Sequence, residues 1–320
     1  MSGKSSVAVV IPNWNTLDVL TGCLASVRAQ DRLPAELLIL DNGSVDGSLE
    51  FLRAERVPHV AFDANIGFAG AVNLGVARTA SPFVFILNAD TVLAPNALRQ
   101  LEAALLARPT FGGVQPLILQ MEDGALNDSA DPCVRVYSAG QRLTHDGRGR
   151  EVGMGQLRSE VRAEPGEIFG VCGAACLLRR ELFGRVGGYD ERYFAFYEDV
   201  DLNVRARVMG WKFALVPQAV VWHTGGVAWK AGFREPNAEN ARLVARNRLA
   251  TQLKFMPLWS APLIAGAEVV ALMLALRHRR FTATLRGKLQ ALRHAAEFLA
   301  KRRRLRRDGR LRYARAWLGR

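Results

Sequence analysis

Short apolar runs alternate with helical stretches along the first part of the chain, and this alternation leaves few possible folds. VAVVIP (7–12), LLILD (37–41), HVAFD (59–63) and FVFILNAD (83–90) are the apolar runs. Between them lie a helical stretch from Leu17 to Ala29, a short one near Leu49–Arg53, and the glycine-punctuated NIGFAGAVNLGVAR (65–78). A near-continuous apolar strand is covered on both faces, and strands separated by helices pair in parallel, so the pattern predicts an α/β sheet between two helical layers. Ligands bind such sheets at the carboxyl ends of the strands. Polar residues collect at those ends: Asn13, Asn15, Asp41, Asn42, Asn88 and Asp90. The first strand runs into Pro12-Asn13-Trp14-Asn15, so neither the GxGxxG dinucleotide turn nor the Walker lysine loop is present.

A chain of 320 residues, 49% hydrophobic, is long enough for one large or two ordinary folded units. Cys23, Cys133, Cys172 and Cys176 lack the spacing of a zinc site or a disulfide framework, and reduced thiols in a cytosolic protein are expected. The N-terminal MSGKSS runs straight into the first strand, which leaves no room for a leader's apolar core. The formal charge is +13, but Arg277–Arg320 holds 16 Lys and Arg against Glu297 and Asp308, so the rest of the chain is close to neutral. Basicity confined to a tail argues against a nucleic-acid-binding core and for electrostatic attachment, here to an anionic membrane surface.

Residues 112–165 are less regular. SAGQRLTHDGRGREVGMGQ reads as a hairpin or flexible loop near a site. Strand-like sequence resumes at IFGVCGAACLLRR (168–180), and Val200, Val204 and Val208 recur every fourth position, which predicts an amphipathic helix over 199–209 ended by Gly210. Just before it, FAFYEDVDL (194–202) sets Phe194, Phe196 and Tyr197 ahead of Glu198, Asp199 and Asp201. Acids suit the first turn of a helix, which explains Asp201. Glu198 and Asp199, beside aromatics able to stack on a sugar, also suit a general base held in fixed geometry. Asn88-Ala89-Asp90 reads either as a helix cap or as a hard-cation ligand at a strand end, and His223 in VVWHTGG follows another strand and could converge on the same ion.

The ordered series VVIPNWN, LDNGSVDGS, NIGFAGAVN, FILNADT, CGAACLLRR, GGYDERYFAFYEDVDLNVRARVMGW and VVWHTGG resembles the inverting GT-A glycosyltransferases of family 2, nearest to their rhamnosyltransferase-like branch, over about residues 7–250. The resemblance implies a Rossmann-like GT-A domain over 1–250, with a nucleotide-sugar half (1–110) and an acceptor and catalytic half (111–250). It implies a dTDP- or UDP-sugar donor, with dTDP-rhamnose favoured, and a divalent metal, Mg²⁺ or Mn²⁺. Asp199 matches the catalytic base, with Glu198 orienting it or the acceptor. Asp90 and His223 match the metal end. Pro12, Asn13, Asn15, Asp41, Asn42, Asn65, Gly67, Asn73 and Asn88 fall in donor-binding segments. The acceptor is expected to be a lipid-linked or polysaccharide glycan of the cell envelope. A UDP-hexose transferase and a non-catalytic membrane-bound scaffold are the alternatives. The metal motif departs from the family's DxD-like pattern, since Asn88 leaves Asp90 as its one acid.

Residues 251–320 are expected to form a helical, basic tail. Within it, 255–276 (FMPLWSAPLIAGAEVVALMLAL) is apolar but interrupted by two prolines and Glu268. Its length is near the minimum for a span, and the RHRR that follows suits an interfacial helix on the cytoplasmic membrane face. A full span and a buried helix pair are the other readings.

Overall fold

The computed structural model describes residues 5–121, 129–225 and 238–307. The core is a mostly parallel sheet. β1 (Val7–Asn13) lies between β2 (Glu36–Asp41) and β4 (Phe83–Leu87), parallel to both, and β3 (His59–Ala61) extends that edge. Beyond β4 the sheet continues through β11 (Ala175–Arg179), β6 (Phe111–Gln120), β12 (Lys212–His223) and β10 (Gly166–Ile168). β11 is antiparallel to both neighbours, whereas β6 and β12 pair in parallel. The short β5 (Thr91–Leu93) and β7 (Val136–Ser138) attach to β12 and β6, and β8 (Gln141–Leu143) with β9 (Gly149–Glu151) forms a separate hairpin.

Helices cover both faces because strand side chains alternate. Val9 and Ile11 face a core shared with α1 (Leu17–Arg28), α2 (Ser48–Ala54) and α4 (Ala97–Leu106), while Val10 faces one shared with α3 (Gly67–Ala77), α5 (Arg180–Val186) and α6 (Glu198–Val208). Each fully buried Val, Leu or Ile contributes about 1.5–3 kcal/mol, so β1 alone, with four such residues (Val7, Val9, Val10 and Ile11) at 0% exposure, commits the chain to this layering. α3 lies so close to the sheet that a Cβ on Gly75 would sit 2.5 Å from Val10 Cγ1.

The sequence pattern missed β6. Two glycines and Pro116 make FGGVQPLILQ look irregular, yet it is a central ten-residue strand. Pro116 is tolerated because its partner strand bulges there: the β6–β12 register shifts between Val216 and Val220.

α7 (Ala238–Phe255) runs back along the body and packs against α9 (Phe281–Arg293) and α10 (Ala295–Arg307), so the division expected at 250/251 falls inside a helix. α8 (Ala261–Arg277) carries the apolar segment, with a mean hydropathy of 1.8 over Leu258–Arg277. Only Ala275 of α8 is buried. Glu268, an apparent flaw in that segment, faces the protein. It pairs with Arg248 (2.7 Å) and Lys288 and accepts from Gln252 Nε2 at 3.1 Å. Of the basic tail, 308–320 lies outside the described residues.

Candidate active site

A cavity of about 560 Å³ opens at the carboxyl ends of β1, β4 and β12. It is lined by Pro12, Asn13, Asn42, Asn65, Asn88 and Asp90 from the strand ends, by Glu198 and Asp199 at the start of α6, and by Asn240, Ala241 and Val244 of α7. The alternation of the N-terminal half therefore delivers its polar strand ends to one place, as such sheets do.

The residues expected on the donor side do different structural jobs. Asn13 Nδ2 donates to Asp41 Oδ2 at 2.8 Å, and Asp41 Oδ1 accepts from Ser44 N at 3.1 Å. Asp41 is fully buried beneath the cavity floor and is not among the lining residues. Asn15, at φ +52°, accepts from Val45 N at 2.8 Å and so fixes the same turn from outside. Asn42 accepts from Ile66 N and donates to Gly67 O, tying that turn to α3. Gly67, at φ +86°, allows Phe194 to approach: a Cβ there would be 2.7 Å from Phe194 O. Asn73 lies outside the cavity lining, with its amide engaged by Tyr189 and Glu191.

Asp90 and His223 do converge. Asp90 Oδ1 lies 3.0 Å from His223 Nε2, and Tyr137 packs edge-on against the imidazole at 4.4 Å between ring centres. His223 Nδ1 and Asn88 Oδ1 are buried without a hydrogen-bond partner among the described residues. Buried polar atoms are normally satisfied, so this corner is built to receive something. A carboxylate oxygen and an imidazole nitrogen suit Mn²⁺ or Mg²⁺, with most of the coordination sphere left for ligand oxygens and water.

Asp199 is held from three sides. Its Oδ2 accepts from Gln141 Nε2 (2.7 Å) and Gly173 N (2.9 Å), and its Oδ1 from Val200 N (2.7 Å). The same Gln141 Nε2 donates to Glu151 Oε1 at 2.8 Å, while Asn203 Nδ2 fixes the other end of the Gln141 amide at 2.7 Å. Burial, followed by the neighbouring Asp199 charge, pushes Glu151 up to about 8. Burial also raises Asp199, against the lowering effect of its three hydrogen bonds. At neutral pH Glu151 therefore carries its proton. Glu198 is raised by burial and then by Asp199, and its Oε2 has no hydrogen-bond partner among the described residues. It also lines the cavity.

Gln141 and Glu151 were not singled out in the sequence. Their one signal is the stretch that reads as a hairpin or flexible loop near a site; the structure makes it a hairpin that pairs Gln141 with Glu151 across β8 and β9. Asp201 departs from a simple helix-terminal role: it is fully buried and pairs with Arg205 (2.7 Å) and Lys254. Phe194, Phe196 and Tyr197 adopt φ of +63°, +68° and +69°, unfavourable for residues with a Cβ. Asn247 of α7, 1% exposed, holds this segment by pointing Nδ2 at the carbonyls of Tyr193 (2.8 Å), Ala195 (2.7 Å) and Phe196 (2.7 Å).

Residues 4–244 match the family described as "Glycosyltransferase like family 2". The N-acetylglucosaminyl-diphospho-decaprenol L-rhamnosyltransferase of Mycobacterium tuberculosis H37Rv is 32% identical over 216 residues, which cover 62% of this chain and 70% of that one. The mannosyltransferase of Pyrobaculum calidifontis, solved with GDP-Man and Mn²⁺, superposes with a TM-score of 0.53 at 19% identity, over 98% of this chain and 87% of that one. GalNAc-T7, solved with UDP, GalNAc and Mn²⁺, gives 0.56 at 18% identity, over 79% of this chain and 50% of that one. With a sheet of this topology, a cavity at its carboxyl edge and a family match over most of its length, the chain belongs to glycosyltransferase family 2 and has the GT-A fold.

Proposed function

We propose that the protein transfers L-rhamnose, with inversion, from dTDP-rhamnose to a sugar hydroxyl on a lipid-linked diphosphate acceptor of the cell envelope. The observation that carries the chemistry is the position of Asp199. It lines the same cavity as Asp90, His223 and the α7 residues Asn240, Ala241 and Val244, and Asp90 and His223 meet there at 3.0 Å. Asp199 takes the proton from the acceptor hydroxyl as that oxygen attacks the anomeric carbon. Gln141 and the Gly173 amide hold Asp199 still, and Glu198, which lines the same cavity, orients the acceptor sugar. The choice of rhamnose and of a diphosphate-linked acceptor follows the mycobacterial relative's name. Asp90 and His223 would hold a divalent cation, which when bound neutralises charge developing on the departing diphosphate.

The exposed face of α8 is proposed to lie in the lipid interface on the cytoplasmic side. Val269 (56% exposed), Met273 (58%) and Leu276 (66%) form one stripe along it, followed by Arg277, Arg279 and Arg280. A screen of dTDP- and UDP-sugars by thermal shift, followed by assay of transfer and of the product's anomeric configuration by NMR, tests this function. Stabilisation by dTDP-rhamnose and an inverted product are expected. A retained configuration would exclude the single displacement.

A further inference from the structure

A second, smaller groove of about 200 Å³ lies where α7, α8 and α9 meet. Three residues, Ala241, Val244 and Arg280, line both this groove and the catalytic cavity, so the two share a wall. The groove continues past Ala271, Leu274 and Ala275 on α8, the helix whose outer face is apolar and exposed. His278 and Arg280 of the turn from α8 to α9, which contains the RHRR of the sequence, line it as well. Arg279 takes φ +55° there, the helix-ending position that glycine usually fills. The following Arg280 N bonds back to Ala275 O at 2.7 Å. That tight reversal puts Arg280 against both cavities, with His278 beside it. No ion pair or side-chain hydrogen bond engages Arg280 among the described residues, whereas the nearby Arg248 is neutralised by Glu268.

We propose that this groove is the acceptor's lipid-diphosphate subsite. The proposal rests on the glycosyltransferase reading above. The occupant is a long-chain prenyl diphosphate bearing the acceptor sugar. Its sugar reaches Asp199 past Asn240 and Ala241, its diphosphate lies against Arg280 and His278, and the first isoprene units run along the Ala271–Ala275 side of α8 toward the lipid. Charge complementarity picks out the diphosphate, because a guanidinium forks onto phosphate oxygens. The shared wall sets the order of the parts, and the apolar continuation along α8 demands a hydrocarbon tail. A soluble glycan acceptor would use neither the Arg280 turn nor the groove.

The test compares two acceptors carrying the same sugar, a prenyl diphosphate-linked form and a neutral octyl glycoside, with full-length protein. Arg280→Ala should lower kcat/KM for the diphosphate acceptor about 10- to 100-fold more than for the octyl glycoside, chiefly through KM, and Arg280→Lys should recover part of it. Ala271→Trp, which narrows the groove, should raise KM for the long-chain diphosphate more than for a short-chain diphosphate of the same sugar. Equal losses with charged and neutral acceptors would overturn the proposal. So would unchanged ratios with reduced sedimentation of Arg280→Ala on anionic vesicles, because Arg280 would then be a headgroup contact. Absence of transfer to any acceptor by the parent protein, with no nucleotide-sugar binding, would refute the glycosyltransferase reading itself.

Discussion

Asp199 and Glu151 are joined through one amide: Gln141 Nε2 lies 2.7 Å from the first carboxylate and 2.8 Å from the second. Two buried acids on one donor cannot both carry full charge cheaply. Glu151, raised to about 8, carries its proton at neutral pH, and the shared amide gives the Asp199 carboxylate a fixed direction.

Asp199→Asn should therefore abolish transfer, by about 10²–10⁴ in kcat. Nucleotide binding should change little, because the donor-side residues are untouched. Near-parental turnover in this variant would remove Asp199 as the base.

Glu151→Gln should change how stability depends on pH. The folded pKa of Glu151 is raised to about 8, above its unfolded value, so the folded state binds the proton more tightly. That contribution is complete at acid pH and is lost as pH rises toward the folded value. The Tm of the variant relative to the parent should thus climb by a few degrees between about pH 5 and about pH 8. A difference that is flat across this range, measured by scanning calorimetry, would mean that Glu151 is not held protonated.

Asp90→Ala and His223→Ala should each weaken binding of dTDP in the presence of Mn²⁺ by about tenfold or more, with little effect in its absence. Titration calorimetry with and without the ion separates the two conditions. Equal loss in both would make the pair a structural contact only.

Asn247→Leu should lower kcat more than it alters the KM for donor. The substitution removes the amide that holds the Tyr193, Ala195 and Phe196 carbonyls and releases a segment with three left-handed residues just before Asp199. A buried hydrogen-bonded group of this kind is worth about 1–3 kcal/mol, so a fall in Tm is expected as well. An unchanged kcat alongside a lowered Tm would confine Asn247 to a packing role.

Val269→Glu with Met273→Glu and Leu276→Glu should reduce sedimentation with anionic vesicles while leaving the melting temperature nearly unchanged, since all three side chains are exposed. Vesicle binding equal to that of the parent would place the membrane contact elsewhere.

The donor half was legible in the sequence because its signals are local. Apolar runs, turn residues and the polar strand ends at Asn13, Asn88 and Asp90 all lie within a few residues of the elements that they mark. His223 and Asp90 could be paired because each ends a strand, although they stand 133 positions apart. β6 was hidden because its Pro116 is permitted only by a bulge in another strand, and such a bulge is a property of two strands together. Gln141, Glu151 and Asn247 were hidden for the same reason: nothing in their own neighbourhood indicates that they converge on FAFYED. Glu268 misled by composition, since a carboxylate in an apolar run looks misplaced until Arg248 and Lys288 are seen beneath it.

That buried clamp also sets a length. Peeling α8 from the body would break the pairs that Glu268 makes with Arg248 of α7 and Lys288 of α9, so these contacts favour α8 staying docked on α7. α7 in turn holds the segment before Asp199 through Asn247. A bilayer touching α8 would accordingly meet Asp199 at a constant height, and with Asp199 as the proposed base the enzyme would act as a ruler, modifying sugars at one distance from the lipid surface and passing over those nearer or farther along a growing chain.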